Sequence, residues 1–122
     1  MKTKLLSFVL VLTFVLAACG GSSANAKFPT GTFVDSQDEL RGYIFNEDMT
    51  WSYFALGTGT ITASGTYSVD GNRWVEAGGQ DNCQPATYMW EFDGSKLTFN
   101  LKGKDDCSAR RASLDGHTFI LK

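Results

Sequence analysis

From Phe28 to Lys122 no segment of the chain keeps a helical apolar period. Short aromatic and β-branched runs alternate with polar residues and are cut by Gly, Asn or Asp, the pattern of strands joined by tight turns. Tyr88, Trp90 and Phe92 fall on one face of their run, and Leu97, Phe99 and Leu101 repeat the pattern beyond Asp93-Gly94-Ser95. Strands are expected over 31–35, 40–46, 49–56, 59–69, 73–77, 86–93, 96–102, 108–114 and 117–121. The fourth is expected to bend at Ser64-Gly65, since glycine inside a strand often marks a kink. Asp-Gly at 70–71, 93–94 and 115–116 suits primed hairpin turns. In 49–56 the inward face stays open, because Trp51 and Tyr53 oppose Phe54 and Leu56.

Successive hairpins make an antiparallel meander, whose edges are hidden most completely by closure. The expected fold is therefore all-β, an antiparallel up-and-down meander closed into a small eight- or nine-stranded barrel. One longer loop, Gly78 to Pro85, carries Cys83.

The amino terminus follows different rules. Met1-Lys2-Thr3-Lys4 is positively charged and Leu5 to Leu16 carries no charge. That run is shorter than the roughly 20 apolar residues of a membrane span and suits the apolar region of an export signal. It ends in Leu16-Ala17-Ala18-Cys19, which resembles the lipobox of bacterial lipoproteins. The resemblance implies a signal peptide over 1–18 and a diacylglycerol on the Cys19 sulfur, with Cys19 the first residue after cleavage. Two acyl chains, at about 0.8 kcal/mol per buried CH₂, hold a protein on a bilayer almost permanently. Residues 20–27 have the composition of a flexible tether, so 19–27 reads as lipidated cysteine plus linker and 28–122 as one domain. The expected location is the cell membrane or outer membrane, facing the periplasm or exterior; with Gly20 in place of Asp after the anchor, the resemblance favours an outer leaflet.

Setting Cys19 aside leaves Cys83 and Cys107, an even pair in an exported domain, for which a disulfide is the default reading. One His and two Cys without paired spacing make a poor metal set, and no C-x-x-C marks a redox pair. Removing Lys2 and Lys4 from the 11 basic residues leaves nine against 13 acidic ones, a net charge of −4. That balance argues against a nucleic-acid partner.

The block Cys83, Pro85, Tyr88-x-Trp90 before the Asp93-Gly94 turn, followed by Asp106-Cys107-x-x-Arg110, resembles the C-terminal half of small bacterial lipocalin-like proteins. These belong to the calycin group of β-barrels. Gly65-x-Tyr67-x-Val69-x-Gly71-Asn72 carries the same likeness upstream. Phe33 stands where the lipocalin opening motif has Trp. The resemblance implies a lipocalin-like barrel and leaves its function open.

Chemistry-bearing residues are few. His117 stands alone beside a turn and reads as a surface residue; no G-x-S-x-G elbow is present. Asp105-Asp106 reads as a solvated turn near Lys102 and Lys104. Arg110 and Arg111 are expected to split between the two faces of a strand, with Arg110 either closing the barrel by a salt bridge to Asp106 or holding a ligand carboxylate. No enzyme activity and no cofactor are expected. The first functional reading is a membrane-anchored binding protein for a small hydrophobic or amphipathic ligand, held by Tyr43, Trp51, Tyr53, Trp90 and Arg110 at the barrel mouth. The alternative is a cell-envelope protein-interaction module, such as a hydrolase inhibitor, drawn to a basic partner. A monomer is expected, its bilayer contact made through acylated Cys19.

Overall fold

A computed structural model describes residues 27–55, 60–77 and 83–122. Residues 1–26, where a signal peptide, lipidated Cys19 and tether are expected, residues 56–59 and residues 78–82 of the long loop lie outside the described residues. Eight strands form the wall in chain order: β1 Gly31–Asp35, β2 Gly42–Phe45, β3 Thr50–Phe54, β4 Ile61–Asp70, β5 Arg73–Ala77, β6 Ala86–Phe92, β7 Lys96–Lys102 and β8 Thr118–Leu121. Every neighbouring pair is antiparallel, and β8 pairs with β1 through Phe33↔Leu121, Val34↔Ile120 and Asp35↔Phe119, so the meander closes into a barrel. No free edge remains in it.

The expected ninth strand is a helix instead. Residues 108–114 form α1, Ser108–Leu114, between β7 and β8. The helix ends where Gly116 takes a positive φ of 74°, so Asp115-Gly116 stops a helix rather than turning a hairpin. His117 N–H then donates to the Leu114 carbonyl at 3.0 Å. The other two Asp-Gly pairs do turn hairpins, β4 to β5 and β6 to β7. Asp93 holds its turn by accepting the Ser95 and Lys96 backbone N–H groups at 3.0 and 2.7 Å.

Alternation delivers a core made almost entirely of rings. Trp74, Tyr88, Phe33, Phe45, Phe99, Phe119 and Leu97 are all under 2 % exposed and converge from six strands. Trp74 packs against Phe45, Tyr67, Tyr88 and Phe99, and its indole N–H is the one buried side-chain polar atom among the described residues without a hydrogen-bond partner. Phe28 closes the end bearing the β2–β3, β4–β5 and β6–β7 turns, touching Phe45, Tyr67, Trp90 and Phe99 at ring centroid distances of 5.1–6.2 Å. Leu114 of α1, fully buried, closes the opposite end.

Strand β3 resolves its open face. Trp51 and Tyr53 point inward against Tyr43, whereas the Phe54 ring lies across Gly42 on the outside. A Cβ on Gly42 would stand 2.5 Å from that ring and 2.1 Å from the Phe33 carbonyl oxygen, so only glycine fits. Gly65 is likewise a clearance rather than the expected kink: it pairs in register with Trp51, whose indole passes 2.9 Å from where a Cβ would be. The irregularity lies nearer the strand start, where Tyr53 pairs with Ala63 but Phe54 pairs with Ile61, leaving Thr62 as an extra residue.

Candidate functional site

The chemistry-bearing side chains gather at the α1 end of the barrel. The Cys83–Cys107 disulfide ties the chain three residues before β6 to the residue capping α1, with Cα atoms 5.8 Å apart. The helix is pinned further by Ser113, whose hydroxyl shares a 2.8 Å hydrogen bond with the Tyr43 hydroxyl.

Arg110 projects from this helix into a buried acidic pair. Its Nη1 donates to Glu76, its Nε and Nη2 to the two Asp105 oxygens at 2.8 and 2.6 Å, and Nη2 also to the Gln84 carbonyl at 2.7 Å. Side-chain exposure is 9 % for Arg110, 2 % for Glu76 and 0 % for Asp105, so these charges interact with little solvent screening. Asp105 also accepts the Tyr88 hydroxyl and the Cys107 backbone N–H. The barrel is thus closed by Asp105, not by the expected Asp106. Asp106 is solvent-exposed and pairs with Lys104 at 3.2 Å. Nor do Arg110 and Arg111 split across a strand: both sit on the helix, where Arg111 is exposed.

Burial pushes the Asp105 carboxyl up, but the Arg110, Tyr88 and Cys107 hydrogen bonds outweigh it and hold it below its ordinary value of 3.8. Tyr43 moves the other way through burial, and Tyr88 through burial and the adjoining Asp105 carboxylate; both are raised well above the usual tyrosine range. The signs oppose. Asp105 binds its proton more weakly when folded, so its contribution is complete at neutral pH and drains away as pH falls below the ordinary aspartate range. The tyrosines keep their protons when folded, so stability falls as pH rises past about 10, where unfolded tyrosine ionises. Urea midpoints measured across pH should form a plateau from about pH 5 to 9 with losses on both sides. Asp105→Asn should flatten the acid limb.

Of the five residues expected around a ligand, Tyr43, Trp51 and Tyr53 do meet, with Tyr43 centroids 5.9 and 4.9 Å from the other two. Trp90 lies instead against Phe28 at the far end. Their polar handles are occupied internally: Trp51 Nε1 donates to the Thr66 carbonyl at 3.2 Å, Trp90 Nε1 to the Gly71 carbonyl at 3.0 Å, and Tyr43 to or from Ser113. Of the four aromatics only Tyr53 is not buried.

Two further acids escaped the sequence reading although parity marks them. Glu76 shares the inward face of β5 with Trp74, and Asp35 that of β1 with Phe33. Asp35, 5 % exposed, meets His117 Nδ1 at 2.8 Å and accepts the Gln37 N–H at 2.9 Å. His117 is therefore anchored to a buried carboxylate rather than standing free on a turn, and it bridges the start of β8 to the end of β1. Among the described residues no three His, Cys, Asp or Glu side chains gather as a metal set. Compared with known proteins, the chain matches no family model, no curated protein and no solved structure.

Proposed function

We propose that this chain is a lipid-anchored, non-catalytic module of the cell envelope that recognises another protein with the outside of its barrel. The observation that carries the reading is the filled interior. Seven side chains under 2 % exposed occupy it, Phe28 and Leu114 close its ends, and Arg110 is neutralised by two carboxylates. A ligand carboxylate would have to displace partners already in optimal hydrogen-bonding range, at the desolvation cost of a buried charge. Anchoring through Cys19 and a net charge of −4 suit a basic partner met in the plane of the membrane.

The processed, lipidated chain retrieved from its membranes at low ionic strength should bring a partner with it, and raising the salt should release that partner. A second reading keeps a small amphipathic ligand at the α1 end, favoured by the half-buried Tyr53 beside Tyr43 and Trp51. Native mass spectrometry of the same sample separates the two. A small-molecule mass retained on the chain, with no salt-sensitive protein, would overturn the first reading in favour of the second.

A further inference from the structure

Neither cysteine of the Cys83–Cys107 bond is sealed in the core: both are half-buried, within reach of a small thiol or disulfide in solvent. One side chain holds both of them independently of the sulfurs. Arg110 Nη2 donates to the carbonyl of Gln84, the residue after Cys83, at 2.7 Å. Arg110 Nε and Nη2 also grip the two oxygens of Asp105 at 2.8 and 2.6 Å, and Asp105 accepts the Cys107 N–H at 2.9 Å. A single guanidinium therefore bridges the same two chain segments as the disulfide.

The bridge is itself fixed to the wall. Glu76 on β5 accepts from Nη1, and Tyr88 on β6 donates its hydroxyl to Asp105. Hydrogen bonds between ionised partners are the strong kind, and here the partners are buried, so little water competes for them. No ladder of the eight-stranded wall runs through α1, so the wall closes without help from the sulfur link. The two fastenings are unequal. A seven-residue helix tied only at its cap is too short to keep its own hydrogen bonds, whereas the guanidinium holds it from within.

We infer that Arg110 is the positioning residue of a reversible thiol pair: it keeps reduced Cys83 and Cys107 facing each other, so their bond opens and re-forms by exchange while the barrel stays folded. The co-reactant is a small disulfide such as oxidised glutathione. The thiolate of one cysteine attacks it, forming a protein–glutathione mixed disulfide and releasing one glutathione thiolate. The second cysteine thiolate attacks the protein sulfur of that intermediate, closing Cys83–Cys107 and expelling the other glutathione. Two electrons pass from the cysteines to the glutathione, and the two cysteine protons end on the released thiols. A reducing dithiol runs the same exchange backwards. Holding the thiols in register raises their effective concentration, which favours the intramolecular step. The inference does not rest on the partner proposed above.

The full chain, handled in detergent, tests it. After native reduction with dithiothreitol, the amides of Arg111 and Asp115, which donate to the Cys107 and Arg111 carbonyls at 2.9 and 3.0 Å, should stay protected from hydrogen exchange. Returned to a buffer of reduced and oxidised glutathione, the chain should regain the bond without accumulating a mixed disulfide, read from peptide masses after alkylation. The variant combining Arg110→Met, Glu76→Gln and Asp105→Asn keeps an acceptor for the Cys107 N–H but loses the bridge. Its bond-forming equilibrium should fall at least about tenfold although urea unfolding shows its barrel intact. Loss of α1 protection on reduction would overturn the inference, as would a persistent mixed disulfide in the wild-type chain or an unchanged equilibrium in the variant. Should the variant fail to fold, the wild-type amides and mixed disulfide still decide.

Discussion

Replacing Arg110 with methionine is expected to lower the unfolding free energy by about 3–5 kcal/mol, the usual cost of breaking a buried ion pair. Methionine fills much of the same volume, so the loss is electrostatic: Glu76 and Asp105, 2 and 0 % exposed, are left facing each other without a cation. Against a total stability of about 5–15 kcal/mol for a domain of this size, that is a large share. Urea unfolding followed by tryptophan fluorescence measures it, with the midpoint falling and the slope unchanged. Adding Glu76→Gln and Asp105→Asn should recover most of the loss, because neutral amides keep hydrogen-bonding capacity without the charge. A loss below about 1 kcal/mol, as for a solvent-exposed pair, would show that the cluster is screened in solution.

The second large effect is expected from the disulfide. Cys83→Ala with Cys107→Ala should cost about 3–4 kcal/mol for a closed loop spanning 24 residues. This cost and that of Arg110 are not independent. Cys107 caps α1 three residues before Arg110, and Arg110 donates to the carbonyl of Gln84, the residue after Cys83. Bond and ion pair hold the same helix on the same barrel end, so the combined variant should lose measurably less than the sum, by about 0.5–3 kcal/mol. A double-mutant cycle reads this directly; strict additivity would mean that the helix stays in place on either fastening alone.

The wall of the barrel was legible in the sequence because its signals are local. Period-two alternation in 86–92 and 96–102 and the turns at 70–71 and 93–94 each need only a few neighbouring residues. Helix α1 was not legible for the converse reason. Ser-Ala-Arg-Arg-Ala-Ser-Leu has one apolar residue to bury, Leu114, so no helical stripe exists to detect. Isolated helices this short do not hold in water, and this one is held by the disulfide, Arg110 and the Ser113–Tyr43 bond, contacts that span up to 70 positions of chain. The candidate site was half legible. Tyr43, Trp51 and Tyr53 do meet, since β2 and β3 are neighbours, whereas Arg110 found Asp105 and Glu76 rather than Asp106 because a helix, not a strand, carries it. For Glu76, sequence offers strand parity alone to say that a charge faces inward, and Asp105, between β7 and α1, lacks even that.

The seam between β1 and β8 has a kinetic consequence. Those strands come from opposite ends of the folded chain, so the ladder between them joins the most widely separated residues of the barrel. Loop-closure entropy is spent before the contact rewards it, and barrels of this contact order fold in milliseconds to seconds rather than microseconds. The Cys83–Cys107 link does not shorten that search, since its loop lies wholly within β6, β7 and the turn into α1. Until the seam closes the chain carries two unpaired strand edges, and the Asp35–His117 contact that spans the seam forms with its closure.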